Sequence, residues 1–294
     1  MSTVIKKNIV FCGLSKSADK TLIKNFEFLE RFIEYSNHIV EILIVDTDSD
    51  EIIKEFLSGK EKLFSNIKVF HEDYLDKKIH SRIERITLCR NIGLNYIYSN
   101  FKIQNTIYIP LDLDVELFEK SNLEAFEKRI NELIESQDQC AIFPVSSPRY
   151  YDILALRAEN WVHYNSQLYN HKLKKVFRIG SFLLNYFFVF RFQWKIKKIQ
   201  SRKINIESAF GGIAIYNFEF LDKKIFYKTT TKNTEFVSEH IGFNNNFDKK
   251  FLDTNWIVNA PIEHISFHSY DTKNKIIYIF KTIKEDLKNI NKLN

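Results

Sequence analysis

Three observations in the sequence predict an α/β fold with a mostly parallel central sheet flanked by helices. Apolar runs of strand length at residues 7–14, 39–45, 67–70 and 106–111 alternate with helix-period stretches up to about residue 99. Such alternation packs helices on a parallel sheet. Polar segments at Gly13 to Ser17, Asp46 to Asp50 and Asp112 to Asp114 follow the carboxyl ends of three of those runs, where sheets of this kind bind ligands. The chain of 294 residues is long enough to bury about three quarters of its unfolded surface, most simply in a single domain.

The elements follow in order. Residues 7–14 are the first strand, and Ser17 or Asp19 can cap an amphipathic helix that presents Leu22, Phe26, Leu29 and Ile33 on one face up to Tyr35. Ile39 to Val45 is the second strand. A helix is expected from Glu51 to Leu57, capped by Asp48 or Asp50, with Gly59 as its stop. Ile67 to Phe70 is the third strand, and a helix over residues 81–99 leads into the strand that ends at Asp112. After a helix at Asn122 to Ser136 and a strand at Cys140 to Val145, the alternation becomes irregular. Gly211 and Gly212 are the only adjacent glycine pair among seven glycines, which fits either a close approach of backbone or a bulge.

Composition sets limits on function. Hydrophobic residues make up 45% and charged residues 27%, values of a globular chain. Cys12, Cys89 and Cys140 are scattered and odd in number, so they form no closed disulfide framework. No signal-type N-terminus and no run of roughly 20 apolar residues is present, so a cytoplasmic location is expected, with contact to a membrane face left open. The net charge of +6 is concentrated: ten basic and no acidic residues lie between Glu159 and Glu207. Within that stretch Leu183, Phe187, Phe190 and Trp194 share helical spacing with the basic row Arg191, Lys195, Lys198 and Arg202. The segment 172–203 therefore reads either as a helix on an anionic membrane surface or as one packed on the core with its lysines extended outward. No recognition motif supports nucleic-acid binding.

Asp112 and Asp114 are the candidate chemical centre. Side chains at i and i+2 of a strand face the same side with Cα atoms roughly 6.5 Å apart, so both carboxylates can address one ion. Hard oxygen ligands select Mg²⁺ or Mn²⁺, and such an ion suits a bound phosphate.

Asp46-Thr-Asp-Ser-Asp50, Cys89-Arg90-Asn91-Ile-Gly93 and Asp112-Leu-Asp114, in that order, resemble the motifs of GT-A fold glycosyltransferases. Tyr150-Tyr-Asp-Ile-Leu-Ala-Leu-Arg157 and Ser208-Ala-Phe-Gly-Gly212 resemble the subgroup that includes capsule-associated mannosyltransferases. The resemblance covers about residues 7–270. It implies a metal-dependent transfer of a sugar from a nucleotide-sugar donor to a glycan or lipid-linked acceptor, with Mn²⁺ or Mg²⁺ held by Asp112 and Asp114. By the same resemblance Asp46 or Asp48 reads the base or ribose, with Gly13 in the adjoining loop, and Arg90, with Arg82 or Arg85, faces the diphosphate. Glu239 is the candidate base, although His240 stands where relatives carry a second acid and a retaining mechanism would not require that base. His264 in Pro261-Ile-Glu-His264 resembles a C-terminal histidine that returns to the metal. The domain then divides into a nucleotide-sugar half (1–147), an acceptor half (148–272) and a C-terminal helix (273–294).

Two rival functions share these residues. In a haloacid-dehalogenase-type phosphatase Asp112 would be the nucleophile, but that motif belongs on a first strand with a later acidic pair, whereas three strands precede it here. The other rival is a sugar- or membrane-binding module without turnover.

Overall fold

The computed structural model describes residues 6–16, 20–119, 121–147, 150–158, 161–162, 177, 180, 183, 202–229 and 238–260. His264, most of the basic aromatic segment and the expected C-terminal helix lie outside the described residues, as do Ser17 and Asp19.

The mostly parallel, helix-flanked sheet is present. Its strands are β1 (Asn8–Ser15), β2 (Ile39–Thr47), β3 (Ile67–Glu72), β4 (Thr106–Asp112), β5 (Ala141–Ser147), β6 (Lys203–Asn205), β7 (Ile215–Asn217) and β8 (Lys250–Asn259). They run in the order β3-β2-β1-β4-β7-β5-β8-β6. Strands β3, β2, β1 and β4 pair in parallel, as do β5 and β8, while β7 is antiparallel to both β4 and β5, and β6 to β8. The register sets Gly13 beside Ile44 and Leu111, and Leu14 beside Asp112. The ends of β1, β2 and β4 therefore open at one level, above which the site is built. Because β5 pairs with β8, the sheet runs unbroken past residue 147.

The helices are α1 (Lys20–Tyr35), α2 (Glu51–Leu63), α3 (Leu75–Lys78), α4 (Arg82–Asn100), α5 (Leu123–Glu135) and α6 (Glu239–Asn244). Both faces of the sheet are covered, which explains why its inner strands read as continuous apolar runs. From β1, Ile9 and Phe11 point into a core shared with Leu22, Phe26, Leu29 and Phe32 of α1 and Phe126 and Ile130 of α5. Val10 and Cys12 point the other way, toward Leu94 and Ile97 of α4.

Asp50 caps α2, its carboxylate accepting from the Ile53 amide at 3.0 Å, and Asn122 caps α5 in the same way. The expected stop at Gly59 is corrected: α2 continues to Leu63. A Cβ placed at Gly59 meets nothing within 4 Å, so this glycine sits on an open face, where it weakens the helix without ending it. Gly212 has φ of +81°, and a Cβ there would lie 2.5 Å from the Tyr151 hydroxyl oxygen. Its carbonyl accepts from the Asp112 amide at 2.7 Å. The glycine pair thus serves close approach: only a residue without a side chain fits between β4 and Tyr151.

Candidate active site

The motif from Cys89 to Gly93 builds the site from one helix. Ser81 caps α4, accepting from the Glu84 amide, and Gly93 brings the helix onto β1, since a Cβ there would stand 2.1 Å from the Cys12 sulfur. Two residues earlier, Asn91 clamps the backbone of Tyr227 in both directions, donating to its carbonyl at 3.0 Å and accepting from its amide at 2.9 Å. That clamp sets Tyr227 beside Arg90. The guanidinium of Arg90 lies 4.8 Å from the Phe210 ring centroid and 5.6 Å from that of Tyr227.

Arg90 is 2% exposed. Its Nη2 donates to Asp112 Oδ1 at 2.8 Å and its Nε to Glu239 Oε1 at 3.1 Å, while the buried Nη1 has no hydrogen-bond partner. Three elements distant in sequence, α4, β4 and α6, therefore meet on one cation. Burial opposes that charge, but Asp112, Tyr227 and Glu239 hold the guanidinium protonated, well above its ordinary range. Arg90 thus bonds carboxylates of the chain itself, where the resemblance had it facing a diphosphate.

Two cavities adjoin at Asp112. The first, about 260 Å³, lies over the ends of β1, β2 and β4 and is lined by Ser15, Lys16, Asp48, Arg82, Arg85 and Cys89 together with Asp112 and Asp114. The second, about 180 Å³, is lined by Arg90, Asp152, Phe210, Glu239 and His240, with Asp112 and Arg82 common to both. Asp112 is partly exposed between them, and Asp114 is exposed at the mouth of the first.

The sequence candidates separate accordingly. Asp48, Arg82, Asp112 and Asp114 line the first cavity. Asp48 adopts a left-handed φ of 54° and accepts from the Tyr74 amide at 2.6 Å; Tyr74, at φ 62°, is itself left-handed. Asp46 is buried beneath them, its carboxylate accepting from the Ser49 hydroxyl at 2.5 Å and lying 3.2 Å from His71 Nδ1. It supports the turn and does not line the cavity. Gly13 does not line it either: a Cβ there would meet Leu113 Cδ1 at 2.8 Å, so the missing side chain makes room for the residue between the two aspartates. Arg85 lines the wall, but its guanidinium also donates to the carbonyls of Ile79 and His80.

The second cavity holds a group that the candidate list lacked. Asp152 sits near two other carboxylates, and burial followed by the charges of Glu239 and Asp112 pushes its carboxyl up to about 7. The signal was present as the acid in Tyr150-Tyr-Asp152, but nothing local distinguishes that acid from a surface one. His240, 1% exposed and stacked on Phe210 at 3.8 Å, is driven neutral by burial and by Arg90.

The donor set fits a hard divalent cation. Arg90 engages one oxygen of Asp112, and Asp114 opens to the same cavity. Among the described residues no group of three His, Cys, Asp or Glu is placed to hold a metal. The protein would supply two carboxylates and a bound phosphate the remainder, the usual arrangement for Mg²⁺. Among the described residues no helix is long and apolar enough to cross a membrane.

No protein-family model and no curated protein matches this chain. Among solved structures, it is similar to the mannosyltransferase PcManGT from Pyrobaculum calidifontis in complex with GDP-Man and Mn²⁺, at a TM-score of 0.47 and 9% identity over 87% of this chain. It is also similar to S. aureus TarS 1-349, at a TM-score of 0.45 and 10% identity over 89% of this chain. The chain spans 57% and 62% of the lengths of those two structures.

Proposed function

We propose that this chain is a metal-dependent glycosyltransferase that moves a sugar, most simply a hexose, from a nucleotide-sugar donor to a glycan or lipid-linked acceptor. The observation that carries this reading is the meeting of two cavities at Asp112. The first has the phosphate-binding character of the donor side, with Asp112 and Asp114 facing Lys16 and Arg82 over the carboxyl ends of parallel strands. The second has aromatic walls and carboxylates, which suit a polyol. The ordered motifs at Asp46–Asp50, Cys89–Gly93 and Asp112–Asp114 support the same assignment. Synthesis of a cell-surface polysaccharide or glycoconjugate is the setting we infer.

Asp112 and Asp114 would hold Mn²⁺ or Mg²⁺, which supplies positive charge where the departing diphosphate becomes negative. Arg82, common to both cavities, contacts the diphosphate, and Asp48 accepts hydrogen bonds from the base or ribose. Arg90 fixes the carboxylate of Asp112 in one orientation and so acts as a positioning residue.

The test is binding and hydrolysis of a panel of nucleotide sugars with Mn²⁺ or Mg²⁺. Wild type should bind at least one donor in a metal-dependent way, and Asp114→Ala should lose that dependence. If no nucleotide sugar binds, or if Asp114→Ala keeps full metal-dependent turnover, the reading is wrong.

A further inference from the structure

We propose that Asp152, in place of Glu239, is the carboxylate that takes the proton from the attacking hydroxyl in the second cavity, an assignment that rests on the glycosyl-transfer reading above. The reaction needs a base within hydrogen-bond reach of that hydroxyl. Four side chains of the cavity compete for the role. Asp112 and Glu239 are both bonded to Arg90. To accept a proton, either must weaken a buried salt bridge and leave the Arg90 cation under-compensated. Glu239 also has the Nε2 atom of His240 3.5 Å from the same oxygen. His240 is enclosed against Phe210 and faces the positive charge of Arg90, so a second positive charge there is disfavoured.

Asp152 differs from all three. It is partly exposed to the cavity and makes no salt bridge among the described residues; its carboxylate accepts only from the Ala155 amide, at 3.4 Å. The loop that carries it is anchored on both sides. Tyr150 donates its hydroxyl to the Phe210 carbonyl and accepts from the Phe210 amide, and Arg157 exchanges backbone hydrogen bonds with the segment at Ser208. The acid is thus held rigidly while its oxygens remain available.

The charged and titratable groups that act on it are Glu239 from α6, Asp112 from β4, Arg90 from α4, and Arg157 and the phenols Tyr150 and Tyr151 from its own loop. Burial and the two carboxylates outweigh Arg90 and raise the Asp152 carboxyl to about 7. A base with that affinity is about half ionised at neutral pH, more so above it, and basic enough to share a proton in the transition state.

In the step itself the acceptor oxygen forms a bond to the anomeric carbon, and the bond from that carbon to the diphosphate oxygen breaks. Its electron pair leaves with the nucleoside diphosphate, and the hydroxyl proton passes to the Asp152 carboxylate.

The test uses nucleotide-sugar binding by calorimetry with Mn²⁺ and hydrolysis of the bound donor, with water as the acceptor, over roughly pH 5 to 9. Wild-type hydrolysis should fall about tenfold per pH unit on an acidic limb whose inflection lies below that of the metal-free protein, because Mn²⁺ on Asp112 offsets one of the charges that raise the Asp152 carboxyl. Asp152→Asn should bind donor as wild type does, lose about 10²- to 10⁴-fold in hydrolysis and lose the acidic limb. Asp152→Glu should restore part of the rate, and Glu239→Gln should keep an acidic limb displaced to lower pH, because the Glu239 charge helps to raise the Asp152 carboxyl. A readout free of turnover is infrared difference spectroscopy of the metal-chelated protein. A protonated-carboxyl band titrating near 7 should be present in wild type and absent in Asp152→Asn. The assignment is overturned if that band persists in Asp152→Asn, if that variant keeps rate and limb, or if Glu239→Gln lowers the rate above pH ~7 as far as Asp152→Asn does. Donor binding by wild type separates the cases: with binding intact these outcomes remove only the role of Asp152, whereas no binding removes the glycosyl-transfer reading beneath it.

Discussion

Replacing Arg90 with methionine removes the cation that Asp112 and Glu239 share while leaving an unbranched apolar side chain in its place. The cost follows from the exposure of each partner. The Glu239 side chain is 7% exposed, so it is left as an uncompensated buried charge, a loss of about 3–5 kcal/mol. The Asp112 side chain is 29% exposed and can rehydrate, so its bridge contributes only ~0–1 kcal/mol once solvent screening is allowed for. Loss of the guanidinium over Phe210 and Tyr227 adds about 1 kcal/mol. The expected total of roughly 4–7 kcal/mol is a large share of the ~5–15 kcal/mol that stabilises a typical domain. The assay is equilibrium urea unfolding at neutral pH, read by circular dichroism and by the fluorescence of the three tryptophans. The double variants carry the discrimination. Arg90→Met with Glu239→Gln should recover about 2–3 kcal/mol, because the amide carries no charge to strand. Arg90→Met with Asp112→Asn should recover under ~1 kcal/mol. A single-variant cost below about 1 kcal/mol, or a better rescue by Asp112→Asn than by Glu239→Gln, would refute the account of Arg90 as a buried two-carboxylate anchor.

Two further perturbations test the surrounding structure. The Asp152 carboxyl rises from 3.8 in the unfolded chain to about 7 in the fold, so the folded state binds the extra proton and stability falls as pH rises through that window. Removing the carboxyl in Asp152→Asn should therefore stabilise the metal-chelated protein above pH ~7 by up to about 4 kcal/mol, with the gain vanishing below pH ~4; a gain independent of pH in urea titrations would contradict the shift. Gly93→Ala should cost about 1–3 kcal/mol by forcing α4 off β1, and Cys12→Ala in the same chain should recover much of it by removing the sulfur that the new Cβ would strike. Equal urea midpoints for the single and double variants would show that the contact does not limit packing.

The strand-helix alternation of the first 147 residues was legible because β1, β2, β4 and β5 are buried on both faces and helices such as α1 and α5 bury one apolar stripe. Those are local patterns that follow from the pitch of the element. For the same reason Asp50 and Asn122 could be read as caps or helix starts, while Gly59 misled: a glycine stops a helix only where the backbone turns left-handed, and that depends on surroundings more than on identity. The aspartates at the ends of β2 and β4 were visible as polar punctuation after apolar runs.

Their roles were not visible, because a role depends on neighbours far along the chain. Asp46 became an internal support and Asp48 a cavity wall although they are two residues apart and would share a face on a continuing strand, since β2 ends at Thr47 and the left-handed backbone of Asp48, at φ 54°, turns its side chain away. Arg90 looked like a phosphate ligand on its helix, and only the convergence of β4 and α6 shows it bonded to Asp112 and, 149 positions away, to Glu239. Nothing local distinguishes Asp152 from a surface acid: what raises its carboxyl is desolvation in the second cavity and the closeness of two acids from other elements. The sequence by itself determined the fold class and the row of residues at the carboxyl ends of the strands, since periodicity and turn chemistry are short-range. The tertiary structure decided which of those residues share a cavity and which charges compensate one another, since Coulomb and desolvation energies depend on distances and burial that only the packed chain defines.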